Sequence, residues 1–335
     1  MRLAALVESE DHVCCRYRLA AFQPAFSQAG HSLTFHSLPR GLLERLSIGR
    51  DLVHADVVIL QRKLLSVWSL ARLRRRVKYL AFDFDDAVWL RDSYSPKGFE
   101  DRERALRFQA TMAACDLVIA GNDYLAAEAR KWITHGRVVV VPTCVDVAKY
   151  SAKTSSSTPD SLQLVWVGSS STLQGLEQFR ETLSAIGQHV PGTRLKLICD
   201  RFLQIPNLPI EKCRWSEATE SSEIAAADVG IAQVPDDPWS QGKCGLKVLQ
   251  YQAAGLPVIA NPVGVQQEFV REGVTGFPAR STKEWVHAVK RLRDDPLLRH
   301  RLGFAGRRQV EAQYSIEAGV RLWTIALQTL VPLAA

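Results

Sequence analysis

The chain has 335 residues, a net charge of +7, and 47% hydrophobic against 23% charged residues. That length suits two α/β domains rather than one small core, and the balance excludes a disordered chain. No run of about 20 apolar residues occurs, and the opening MRLAALVESED lacks the apolar core of a secretory signal, so a soluble, cytoplasmic protein is expected.

Apolar runs and helix-period segments alternate from the start. Leu3–Val7 reads as a strand, Arg16–Ala29 as a helix closed by Gly30, and Ser32–His36 as a second strand. Val57–Leu60 is a third strand, Ser66–Arg76 a basic helix, and Lys78–Phe82 a fourth strand. A helix over Glu100–Ala114, the strand Leu117–Ala120, a helix over Asn122–Trp132 and the strand Val138–Val141 complete this half. Strands separated by long helices predict a parallel, doubly wound sheet.

Residues 151–161 are polar and Ser-rich and contain Pro159, which predicts a linker after a first domain of residues 1–150. A second alternation follows over residues 162–315. Its strands are Leu162–Val167, Leu195–Cys199, Val229–Ala232 and Pro257–Ala260; its helices are Thr172–Ile186, Ser222–Ala227 and Gly245–Ala254. Gly255 and Pro257 supply the stop signal of the last of these. Helices over Thr282–Arg293, Leu297–Gln313 and Ile316–Leu330 close the chain. Ligands of doubly wound sheets bind beyond the carboxyl ends of the strands, so the functional loops are expected after Val7, Phe82, Val167, Cys199, Ala232 and Ala260.

The most informative stretch runs from Asp237 to Phe277. Gly242-Lys243-Cys244-Gly245 opens a helix, and a helix N-terminus with close-approach glycines suits a diphosphate. Lys243 and Lys247 add positive charge, and Gln250 is placed to meet a sugar hydroxyl. The plainer reading is a capped helix with solvent lysines. The seven cysteines contain no CxxC pair, so a structural zinc site has no support and reduced thiols are expected.

The same stretch carries Gly255-Leu256-Pro257-Val258-Ile259-Ala260, Gly264, Glu268-Phe269-Val270 and Gly273-Val274-Thr275-Gly276-Phe277. Leu297-Leu298-Arg299, Leu302-Gly303, Gly306-Arg307 and Tyr314-Ser315 follow. This pattern, over roughly 80 residues, resembles the retaining glycosyltransferases of family 4, the group 1 glycosyl transferases. The resemblance implies a GT-B fold: two doubly wound, Rossmann-like domains facing a cleft, with the terminal helix of residues 316–335 crossing back to the first domain. It implies transfer of a sugar from a nucleotide-diphosphate donor to a glycan or lipid-linked acceptor, with retention, in cell-surface polysaccharide or glycolipid assembly. The donor is a substrate; no cofactor and no metal is implied. Two departures stand out, because the family's two acids fall here on Gly242 and Gln250.

On this resemblance, Lys243 and the backbone of Cys244, Gly245 and Leu246 hold the pyrophosphate, and Gln250 the ribose or donor sugar. Gly168 and Ser169, in the first turn of the second domain, contribute backbone N–H groups; the plainer reading of the Ser169–Thr172 cluster is an N-cap. Trp215 occupies the place of a base contact, with a buried core tryptophan as the plainer reading.

On the acceptor side, Asp83, Asp85 and Asp86 crowd one strand end, and such crowding needs a reason. Asp85 and Asp86 are the catalytic candidates, standing where the family often has His-Asp; the plainer reading is a solvated, capping loop. Arg16 and Arg18 follow the first strand and suit an anionic acceptor, or a plain helix surface. Residues 62–78 hold seven basic residues and no acid, interleaved with Leu, Val and Trp. This reads as a patch for an anionic membrane surface or as a solvated helix face; no nucleic-acid motif accompanies it. The rival functions are a nucleotide-sugar 2-epimerase of the same fold and a non-catalytic sugar-nucleotide or glycan-binding subunit.

Overall fold

The computed structural model describes residues 1–38, 41, 48–151 and 161–330. The chain forms two compact units. The first comprises Met1–Cys144, Asp237–Cys244 and the stretch from Ile316; the second comprises Val145–Asp236 and Gly245–Ser315. Most of the expected linker lies outside the described residues.

The first unit is built on β1 (Arg2–Val7), β2 (Ser32–Ser37), β3 (Val57–Gln61), β4 (Tyr79–Phe84), β5 (Leu117–Ala120) and β6 (Arg137–Val140). All pairings are parallel, in the order β2-β1-β3-β4-β5-β6. The chain turns back between β1 and β3, which makes their carboxyl ends a topological switch point. Side chains alternate between two cores, as a two-residue period requires. Leu3, Ala5, Val57, Ile59 and Ala81 face one core, with Phe22, Phe26 and Trp323. Ala4, Leu6, Val58, Phe82 and Phe84 face the other, with Trp89 and Phe108.

The helix Ile316–Gln328 belongs to this unit. Its Trp323 is fully buried, with ring centroids 5.9 Å from Phe26 and 6.3 Å from Phe22. Burying such a ring stabilises the unit by a few kcal/mol, on the order of 3. The expected helix Arg16–Ala29 is instead three short pieces, Val13–Arg18, a 3-10 turn at Ala20–Phe22, and Gln23–Gln28. Pro24 explains the break, since proline starts a helix but cannot continue one.

The second unit is built on β7 (Leu162–Val167), β8 (Thr193–Cys199), β9 (Ile210–Arg214), β10 (Val229–Ala232), β11 (Val258–Ala260) and β12 (Gly276–Pro278). The order is β12-β11-β10-β7-β8-β9, again all parallel. Its switch point lies between β7 and β10. Gly276 is required by the last pairing, because a Cβ there would sit 1.9 Å from the carbonyl oxygen of Val258. The expected helix Thr172–Ile186 breaks at Phe179 into Ser170–Gln178 and Arg180–His189. The Phe179 ring packs 4.7 Å from the buried Trp285.

Candidate functional site

In the second unit, two helix N-termini meet at the end of β7. Ser170–Gln178 follows β7 through Gly168 and Ser169, and Leu246–Ala253 starts after Gly245. Gly245 has φ +66°, the left-handed conformation glycine adopts without penalty. Its missing Cβ also leaves room for Phe269, whose ring would otherwise be 2.6 Å away. Trp166 joins the two termini. Its ring lies over Gly168, where a Cβ would meet it at 2.3 Å, and Lys247 Nζ is 5.2 Å from its centroid. The Val167 N–H donates to Tyr251 Oη at 3.0 Å, fixing the second helix to the same strand end.

The two termini differ in their hydrogen bonding. The N–H groups at the first are paired internally: Gly168 donates to Ile198 O (3.0 Å), Ser169 to Thr172 Oγ1 (3.2 Å) and Ser170 to Asp200 Oδ1 (2.6 Å). The hydrogen bonds from Ser170 hold the Asp200 carboxyl below its usual range. Gly168 and Ser169, expected to offer backbone donors to a diphosphate, therefore spend those donors on Ile198 O of β8 and on Thr172 Oγ1. The Ser169–Thr172 cluster is a capping box. At the second terminus, the first bond within the helix runs from Leu249 N–H to Gly245 O. The N–H groups of Leu246, Lys247 and Val248 precede it, and they carry the positive end of the helix dipole.

Gln250, expected at the ribose or donor sugar, lies on that helix with its side chain buried. It is 2% exposed, and its Nε2 donates to Tyr150 Oη at 3.1 Å. Arg307 Nη1 donates to Tyr150 O (2.8 Å) and to Ala253 O (2.5 Å), so Gln250 is part of a buried polar packing set. Trp215 is 39% exposed rather than a core residue, and its indole N–H donates to Glu220 Oε1 at 2.8 Å.

In the first unit, the acidic strand end divides into a buried pair and a partly open cluster. β4 runs two residues beyond its expected end, which places Asp83 inside the strand on the face of Ala81. Asp83 is fully buried against Arg18, itself 1% exposed; Arg18 Nη2 donates to Asp83 Oδ1 and Nη1 to Val141 O, both at 2.5 Å. Gln61 Nε2 adds a bond to Asp83 at 3.4 Å. Burial opposes the charge on Arg18, but the Asp83 carboxylate outweighs it and keeps the guanidinium charged. Arg18 and Asp83, expected to bind acceptor, are thus an interior ion pair. Arg16 stays half-buried at the surface, 5.6 Å from the Tyr17 ring centroid.

Asp86 is the centre of the second cluster. Arg62 Nη2 donates to its Oδ2, and Lys243 Nζ to its Oδ1 at 3.0 Å. Burial disfavours the Asp86 charge, yet Lys243 and Arg62 together hold its pKa below the usual carboxylate value. Arg62, in the left-handed region at φ +58°, also lies 3.9 Å from Asp85 and donates to Cys14 Sγ at 2.8 Å. Asp85 keeps partial exposure, 16% of its side chain. Lys243, expected at a pyrophosphate, is therefore committed to a carboxylate. Cys244 is buried beside Gly121 and Asn122, and burial keeps its thiol protonated.

The structure also explains one departure from the family pattern. Gly242 stands where the family has its first acid. A Cβ there would lie 2.8 Å from Ala87 N and 3.0 Å from Ala87 Cβ. A larger residue does not fit without moving the Asp86–Ala87 backbone. Among the described residues, no group of His, Cys, Asp and Glu is arranged to hold a metal.

The family model for glycosyl transferases group 1 matches residues 161–295, which lie in the second unit apart from Asp237–Cys244 and include both helix N-termini. A D-inositol 3-phosphate glycosyltransferase of Actinosynnema mirum is 26% identical over 309 residues, covering 84% of this chain and 68% of that protein. Sucrose-phosphate synthase from Thermosynechococcus elongatus has a similar structure, with a TM-score of 0.75 at 16% identity over 98% of this chain and 99% of the other. HepE of Anabaena, solved in complex with UDP-glucose, gives 0.66 at 16% identity over 99% and 100%. With its two six-stranded parallel sheets the chain has the GT-B fold of these structures, and residues 161–295 are similar to the group 1 glycosyl transferases.

Proposed function

We propose that the protein transfers a sugar from a nucleotide-diphosphate donor to a glycan or lipid-linked acceptor, with retention and without a metal, in cell-surface polysaccharide or glycolipid assembly. The observation that carries this reading is the terminus of Leu246–Ala253, where Gly245 and Lys247 stand beside the end of β7. An anion seated there meets backbone N–H groups, a helix dipole and an ammonium at once. A diphosphate leaving group gains charge as the glycosidic bond breaks, so fixed positive groups at that point favour the transition state. The binding of UDP-glucose by HepE, a protein of the same fold, supports a nucleotide-sugar donor.

The roles of individual residues shift from those expected. Lys247, with the N–H groups of Leu246 and Lys247, takes the diphosphate. Gln250 holds the helix through Tyr150 and acts on the donor only by positioning. Asp85, the more open of the two carboxylates, meets the acceptor hydroxyl. Asp86 orders Arg62 and Lys243 around it.

The test is a thermal-shift series with UDP, GDP and their hexose conjugates. A matching donor raises the melting temperature in proportion to the logarithm of its concentration. Turnover is then measured with that donor with and without acceptor glycans. Conversion of the donor without acceptor would instead indicate an epimerase, and binding without any turnover a non-catalytic subunit.

A further inference from the structure

The basic stretch of residues 62–78 is not uniform in the structure. Arg62 is tied to Asp86, Lys63 to Glu8 at 2.9 Å, and Arg74 to Asp116 at 3.1 Å. These three cations serve the fold. The helix Val67–Arg74 buries Ser69, Leu70 and Leu73 and turns the opposite face outward. On that face, Val67 is 55% and Trp68 47% exposed, and Arg72 lies 4.7 Å from the Trp68 ring centroid. Arg75, one further turn along, is also exposed.

The segment before β3 extends this face. Gly49 packs against Leu73 and Arg76, with distances of 3.1 and 3.4 Å from a Cβ built there, and Arg76 Nη1 donates to Ile48 O at 2.6 Å. That contact brings Arg50 to the arginine group and sets Val53, 56% exposed, on the adjoining turn. Desolvation and the neighbouring charges of Arg72, Arg50 and Arg75 hold Arg76 below the usual guanidinium range. Four arginines held this close repel one another, which a structural role does not require. The combination with an exposed Trp and two exposed valines is the composition of an interfacial surface: apolar groups for the acyl boundary, cations for acidic headgroups. No helix among the described residues is long and apolar enough to cross a membrane.

We propose that Val53, Val67 and Trp68, ringed by Arg50, Arg72, Arg75 and Arg76, form a docking surface for the acidic face of a lipid bilayer. Charge complementarity selects the partner, and Trp68 marks the depth of contact, since tryptophan prefers the headgroup level. The surface shares no residue with the Asp85–Asp86 cluster or with the terminus of Leu246–Ala253, so it does not depend on the donor reading.

The full chain is tested by co-sedimentation with phosphatidylcholine vesicles, with and without phosphatidylglycerol, at low and high salt. Binding is expected only with phosphatidylglycerol and is expected to weaken with salt. The Arg72→Glu/Arg75→Glu variant should lose roughly tenfold or more in vesicle affinity. A brominated lipid should quench tryptophan emission in the wild type, with that quench reduced in Trp68→Phe. Trp68 and Arg75 are exposed and Arg72 is partly so, and far-ultraviolet circular dichroism checks the folding of the variants. Absence of binding, or equal binding by the charge-reversed variant, overturns the proposal. So does equally tight binding to a DNA duplex that the same substitutions abolish, which would make the patch a general polyanion surface.

Discussion

Lys243 Nζ lies 3.0 Å from Asp86 Oδ1, joining residues 157 positions apart in the sequence. The contact settles a local question: the lysine of the glycine turn neutralises a carboxylate that Arg62 also holds. Asp86 is buried and Lys243 partly open, so the pair is stronger than a surface bridge and weaker than a fully interior one. Asp86→Asn should therefore destabilise the first unit by roughly 2 kcal/mol, mostly by leaving Arg62 without its carboxylate. The effect should depend on pH. The Asp86 pKa is lower in the folded chain than its ordinary 3.8, so its stabilisation is complete above that value and is lost as pH falls through the lowered one. Urea unfolding of wild type and variant should show a wide gap at neutral pH that narrows below about pH 4. A gap that stays constant through that range would remove the carboxylate from the account.

The interior pair gives a sharper contrast between binding and stability. Arg18→Met leaves the Asp83 carboxyl buried with its main partner gone, a loss of about 3–5 kcal/mol. Arg18→Met/Asp83→Leu removes both charges and should recover most of that loss. Denaturant unfolding measures both. If Arg18→Met were as stable as wild type and lost only acceptor turnover, the acceptor role expected from its sequence position would stand after all.

Gly242 predicts a steric result. Restoring an acid by Gly242→Glu places a Cβ against the Ala87 backbone, and overpacking of this kind costs about 1–3 kcal/mol. The variant should melt lower and gain no turnover. Higher activity at unchanged stability would show that the missing acid, not the packing, limits the enzyme.

Much of the fold was legible because the central strands are mostly apolar runs. β7 and β10 keep their expected ends, Leu162–Val167 and Val229–Ala232, since both are buried throughout. The edge strands β9 and β12 carry weaker signals: Ile210–Arg214 is mostly polar, and Gly276–Pro278 is three residues ending in proline. The site was legible as a segment and not as contacts. Glycines at Gly245 and Gly168 mark turns that any reader of the sequence can find. The partners of Arg18, Asp86 and Gln250 lie 65, 157 and 100 residues away, and no local pattern announces them. The Asp83-Phe84-Asp85-Asp86 run looked like one acidic group. The extra length of β4 separates it, because alternate strand residues face opposite ways and Asp83 points into a core.

The same separation of roles predicts the behaviour of the two lysines beside the glycine turn. Lys243 belongs to the first unit and is engaged with Asp86; Lys247 belongs to the second and lies over Trp166 at the end of β7. Nucleotide affinity should therefore fall in Lys247→Ala by roughly tenfold, the size of one lost charge-assisted contact of about 1.5 kcal/mol. Lys243→Ala should lower stability through Asp86 and change nucleotide affinity by less. Calorimetric titration with the nucleoside diphosphate found in the thermal-shift series separates the two, because melting temperature alone mixes them. The diphosphate seat moves back to Lys243 if that variant, and not Lys247→Ala, loses affinity while keeping its unfolding free energy.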